Sequence, residues 1–157
     1  MNIFVLDTCP TIAAQMQCDK HVVKMPLECA QMLSTVHRHY GSDDVQLYKS
    51  THKHHPCTLW AATSRANYAW LFDHFRALND EYKYRYGNTH LSWLKLRDVL
   101  AEPPAQMRDD DPTPFAQAMP DEYKHDDAVV AYRAYYINEK ANLLTYTKRD
   151  QPTWLTC

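Results

Sequence analysis

Apolar residues along this chain recur mainly at steps of three and four, the period of a helix that buries one face. Ile3, Val5 and Leu6 come first and predict a short strand or an extended N-terminal arm, stopped by Asp7 and Pro10. From Thr11 the pattern turns helical. Val22, Val23, Leu27, Ala30, Leu33 and Val36 predict one long helix that stops at Gly41. Pro26 lies inside this run and either opens the helix at its first turn or kinks it, freeing a carbonyl about one turn earlier. Residues 41–56 read as a loop. A second long helix is carried by Leu59, Tyr68, Leu71, Phe75, Leu78 and Tyr82 and ends at Gly87, and Leu91–Leu100 predicts a shorter third one. A last helix is predicted from about 127 to 148, with Val130, Tyr135, Leu143 and Leu144 among its apolar positions. Before it, residues 102–120 hold five prolines and the acidic run 109–111, which predicts a loop ordered by packing or a flexible excursion. The expectation is a mainly α protein: one compact domain over residues 1–157, three to five helices, and an extended N-terminal arm.

Composition supports this picture. Two glycines in 157 residues disfavour hairpin-rich β folds, glycine-rich phosphate loops and dinucleotide fingerprints, each of which needs backbone at positive φ or close ligand approach. Five cysteines, an odd number with no C-x-x-C pair, point to free thiols in a reducing compartment. The apolar run at the N-terminus, Ile3 to Leu6, is far shorter than the roughly 20 residues a membrane span needs, so a cytoplasmic protein with no membrane partner is expected. Net charge is −2, but it is unevenly spread. Residues 1–97 carry eleven Lys and Arg against eight Asp and Glu, with eight of the nine histidines, whereas residues 98–157 carry six against eleven. A nucleic acid or phosphorylated ligand would therefore meet the first part of the chain.

Candidate chemistry concentrates in that part. On the first long helix His21, Lys24, Glu28, Gln31 and Thr35 form one polar stripe, in which a carboxylate beside a lysine and a histidine has the ingredients for acid or base work or for stabilising a cation. The same stripe would also serve as a plain solvated face. The run THKHHPC, residues 51–57, packs three histidines and a cysteine before a helix. With Cys18, His21 or Glu28 it would supply metal ligands, although no H-x-x-x-H or paired-cysteine spacing is present. Alternatively it places Lys53 and one imidazole at a helix N-terminus, where anions are favoured. The eleven tyrosines and four tryptophans fit core packing better than base stacking.

The order of these motifs resembles one family, the phage pyrimidine-dimer DNA glycosylase/lyase, or endonuclease V of ultraviolet repair, with its small phage and bacterial relatives. Asp19-Lys20-His21 followed by Glu28 is similar to that family's aspartate, histidine and catalytic glutamate. His55-Pro56, then Glu81, Arg85 and Gly87, then Met119 to Lys124, Glu139-Lys140 and Pro152-Thr153-Trp154 follow in the family's order. The resemblance implies a helical enzyme that uses no cofactor and works on DNA by flipping a nucleotide out of the stack, a step whose cost damage lowers. Its nucleophile is the α-amino group of the chain, a type of group whose ordinary pKa of about 7.7–8.0 leaves part of it neutral near pH 7. It assigns catalysis to Met1, Glu28 and His21, and contact with DNA to Asn2, Lys20, Lys24, Gln31, Arg38, Lys53, His55 and Arg65. Two departures stand out. Asn2 follows Met1, and methionine is normally kept before a residue of that size. Leu27 and Gln31 occupy positions that are arginine in the family. Two other readings fit the residues alone, a metal-dependent hydrolase built on His21, Glu28 and the 52–57 loop, and a non-catalytic interaction protein.

Overall fold

A computed structural model describes residues 1–156, with Cys157 outside the described part. Six α-helices and no strand occur among the described residues. They are α1 (Pro10–Gln15), α2 (Asp19–His39), α3 (Pro56–Thr63), α4 (Arg65–Tyr86), α5 (Leu91–Leu100) and α6 (Ala128–Glu139). The helices α2 and α4 pack on each other at the centre, with α3 and α5 against both and α1 on α4. No helix is long and apolar enough to cross a membrane.

Pro26 lies in the interior of α2, where it cannot donate to the Val22 carbonyl, yet the helix runs on to His39. Burial explains the tolerance: Val22, Met25, Cys29, Met32, Leu33 and Val36 are all within 1% of full burial. Arg38 in the last turn complements the negative end of the helix.

Two predicted helices end differently in the structure. The second long helix is split at Ser64, which takes extended backbone (φ −149°, ψ 158°) and accepts a hydrogen bond from the Asn67 N–H at 3.1 Å, so that α4 starts anew. Asn67 fixes the break by donating to the Trp60 carbonyl and to Thr113. The last helix starts where expected, capped by Asp127, whose carboxylate accepts from Val129 and Val130, but it stops at Glu139 instead of reaching 148. The reason lies in residues 145–149, which are drawn to α2 and α4. The Thr147 N–H and hydroxyl both bind the Asp19 carboxylate, and Arg149 forms a two-pronged bond with Glu81 at 2.9 and 3.0 Å. Arg85, whose side chain is fully buried, completes the lock by donating to Asp19, Glu81 and the Gln15 carbonyl. Although burial alone would raise it, these hydrogen bonds and the Arg85 charge hold the Asp19 carboxyl below its ordinary range. The Gly87 stop is as the sequence predicts, with φ 78° at the end of α4.

The N-terminal arm is extended but not paired as a strand. Ile3, Val5 and Leu6 are fully buried, Phe4 has φ 37°, and the arm is held by long-range bonds from Asn2 to the Ala118 carbonyl and from Arg133 to the Leu6 carbonyl. The proline-rich segment packs in order. Arg65 donates to the Met107 and Ala105 carbonyls, and Trp60 to that of Thr113.

Candidate active site

The stripe of α2 and the N-terminal arm meet at Glu28. Its carboxylate is recessed, with the side chain 10% exposed. Lys24, one turn earlier, binds Oε1 at 2.9 Å, while Oε2 faces the Met1 α-amino group at 3.6 Å and has no hydrogen bond of its own. The Met1 side chain is only 3% exposed, and its sulfur receives the Thr58 hydroxyl of α3 at 3.9 Å. His55, the N-cap of α3, accepts from the Cys57 N–H through Nδ1 and hydrogen-bonds the Met1 backbone. The first residue of the chain is thus held at both ends, by α2 through its amine and by α3 through its side chain and backbone.

His21 supports the arm from the other side. Its ring stacks on Phe4 with centroids 4.4 Å apart. Tyr136 of α6 accepts from the Cys18 N–H and shares a hydrogen bond with His21 Nδ1 at 2.7 Å. Burial, with the Lys140 and Lys24 charges, lowers the His21 pKa to about 4. The ring is therefore neutral at pH 7. The thiols beside the site are not nucleophiles, since burial pushes Cys57 up to about 12 and Cys29 well above its ordinary value.

Neutral histidines make stability pH-dependent. Burial lowers His74 to about 4 as well as His21, and lowers His37, His55 and His90 in the same direction. Between about 4 and 6.5 the unfolded chain binds protons that the folded chain does not, so stability is full above pH 6.5 and falls as pH drops towards 4. His21 and His74 each contribute up to roughly 3 kcal/mol to this loss. Urea-unfolding midpoints should decline steadily from pH 7.5 to 4.5, and a flat profile would contradict these burial assignments.

The remaining sequence candidates are dispersed. Lys20 is exposed on the first turn of α2, and Lys53 is exposed at the rim of a cavity of about 490 Å³ that includes Thr35 and Thr58. Gln31 is half-buried beside Leu27 in a cleft of about 540 Å³. Asn2 is buried and serves the arm, its carboxamide oxygen accepting from the Ile3 N–H. Arg38 spends its guanidinium on four carbonyls, those of Ser42, Asp44, Leu47 and Tyr48, and Arg65 binds the proline-rich loop. Among the described residues no three His, Cys, Asp or Glu side chains converge as a metal would require. His52 bonds Thr51, His55 caps α3 and Cys57 is buried, so the metal-centred reading has no ligand set. Sequence reasoning passed over Phe4, Thr58 and Tyr136. Tyr136 belongs to a tyrosine-rich run that reads as core, which it is, while its hydroxyl also orients His21.

Fold and site together define an all-helical protein with a recessed amine–carboxylate pair where its N-terminal arm meets α2. The model of the pyrimidine dimer DNA glycosylase family matches residues 1–95, a stretch that holds Met1, His21, Glu28 and His55. The chain belongs to that family, and its substrate is accordingly DNA. No curated protein and no solved structure matches it.

Proposed function

We propose that this chain releases damaged pyrimidines from duplex DNA by attack of the Met1 α-amino group on C1′ of the target nucleotide. The observation that carries this reading is the 3.6 Å approach of the Met1 amine to a buried, otherwise unbonded oxygen of Glu28. Oε2 takes the proton that the ammonium must shed before it can act as a nucleophile. The N–C1′ bond then forms as the glycosidic bond breaks, the electron pair leaving with the base, which takes the proton held on Oε2 and restores the carboxylate. The bonded nitrogen next gives a proton to Oε2, which passes it to O4′ as C1′–O4′ breaks, so that a protonated Schiff base forms facing the Glu28 carboxylate. Because Lys24 occupies Oε1, only Oε2 is open to the reacting centre.

His21 and His55 act as positioning residues in this scheme. His21 props Phe4, and His55 with Thr58 fixes Met1. Lys20 and Lys53 are exposed cations available to phosphates. Incubation with ultraviolet-irradiated duplex DNA and borohydride is expected to yield a covalent protein–DNA adduct. Base release with no adduct would contradict the amine as nucleophile, and absence of both base release and adduct would reject the reading as a whole.

A further inference from the structure

The arm that brings the Met1 amine to Glu28 is bent at Phe4, whose φ of 37° lies in the left-handed region. A bulky side chain adopts that conformation only where its surroundings enforce it, and such strain is kept where it serves a site. The hydrogen bonds on either side depend on the bend. Asn2 Oδ1 accepts from the Ile3 and Phe4 N–H groups at 2.8 and 3.4 Å, and the Leu6 N–H donates to the Phe4 carbonyl at 2.8 Å. The first pair aims the Asn2 amide at the Ala118 carbonyl, which it reaches at 2.8 Å, next in the chain to Met1. A set of aromatic rings enforces the bend. Phe4 is only 5% exposed, and its ring lies 4.4 Å from that of His21 and nearly parallel to it, at 17°. Tyr136 and Tyr132 meet it edge-on at 5.5 and 6.3 Å, and Tyr135 lies near-parallel at 6.5 Å. His21 stands on α2 with Glu28, and the three tyrosines stand on α6. The ring that grips the arm and the carboxylate that receives its amine therefore share one rigid helix.

We infer that Phe4 is the positioning residue for the Met1 amine: gripped by His21 and the α6 tyrosines, its ring maintains the strained bend that holds the amine against Glu28. The inference rests on the Met1–Glu28 reading of the site. It also gives α6 a part in the reaction, exerted through the arm and without contact to substrate.

The test compares Phe4→Leu, which stays apolar but has no ring to stack, with the unaltered chain and with Phe4→Tyr, which keeps the ring. At saturating enzyme the single-turnover rate on irradiated duplex DNA is expected to fall about 10²-fold in Phe4→Leu, the loss that a misplacement of about 1 Å brings. DNA affinity should be unchanged, because Phe4 is buried, and Phe4→Tyr should restore most of the rate. A second readout uses no DNA. Acetylation of the Met1 α-amino group by acetic anhydride, followed on the N-terminal peptide well below the unfolding midpoints, should be several-fold faster in Phe4→Leu, since a released arm opens more often. Equal acetylation rates, a loss of affinity that matches the loss of rate, or a Phe4→Tyr variant as impaired as Phe4→Leu would overturn the assignment. Faster acetylation with undiminished turnover, or an unaltered chain that traps no DNA, would remove the amine chemistry and leave Phe4 as the residue that fixes the arm. Should Phe4→Leu fail to fold, Tyr135→Leu, at the half-buried edge of the ring cluster, is read in both assays with the same expected signs.

Discussion

Glu28→Gln is expected to lower the single-turnover rate of base release by about 10²–10⁴-fold, the range associated with loss of a positioned proton-transfer group. The amide keeps the size of the side chain but offers no negative charge to the amine or to the cation formed from it. The cost to folding should be small. Of the two cations facing the carboxylate, the Lys24 side chain is 62% exposed and returns to water, while the Met1 amine keeps a neutral oxygen or amide beside it. Thermal midpoints for the variant should stay within a few degrees of the unaltered chain, and DNA affinity at fixed salt should change little. A variant with undiminished turnover would show that the Met1–Glu28 contact is structural.

Arg85→Met is expected to produce the largest loss of stability, about 3 kcal/mol or more, because it removes one partner of a buried ionic network. The Arg85 side chain is fully buried and joins α1, α2 and α4 through the Gln15 carbonyl, Asp19 and Glu81. Methionine fills much of the volume but leaves Asp19 with hydroxyl and amide partners and no cation, and takes from Glu81 one of its two arginines. For a chain of this length the change corresponds to a thermal midpoint lowered by about 10 °C. Release of residues 145–149 should accompany it, seen as faster amide exchange there. An unchanged midpoint would mean that the network is no stronger than a solvated one.

Much of the architecture was legible in the sequence because it rests on local periodicity. The three- and four-residue steps from Val22 to Val36 mark the buried face of α2, and the same steps place Lys24 and Glu28 together, as the 2.9 Å contact shows. The parts that were not legible depend on partners distant in sequence. The apolar period runs through Ser64 without interruption, and one hydroxyl on Asn67 N–H decides the break. The end of α6 is set by Asp19 and Glu81, more than sixty residues away, which capture Thr147 and Arg149. Charge counting treats Arg38 and Arg65 as free cations, whereas loop carbonyls engage both. The approach of Met1 to Glu28 has no local signal either. It follows from an arm held by Ala118 and Arg133, and it came within reach of sequence reasoning only through the family resemblance.

The most direct test of the account is to map the borohydride-trapped adduct. After trapping on irradiated duplex DNA and digestion of both components, the sugar remnant should be found on the N-terminal peptide, attached at the Met1 α-nitrogen. A remnant on Lys20, Lys24 or Lys53 instead would show that a side-chain amine is the nucleophile and would contradict the role given to Met1.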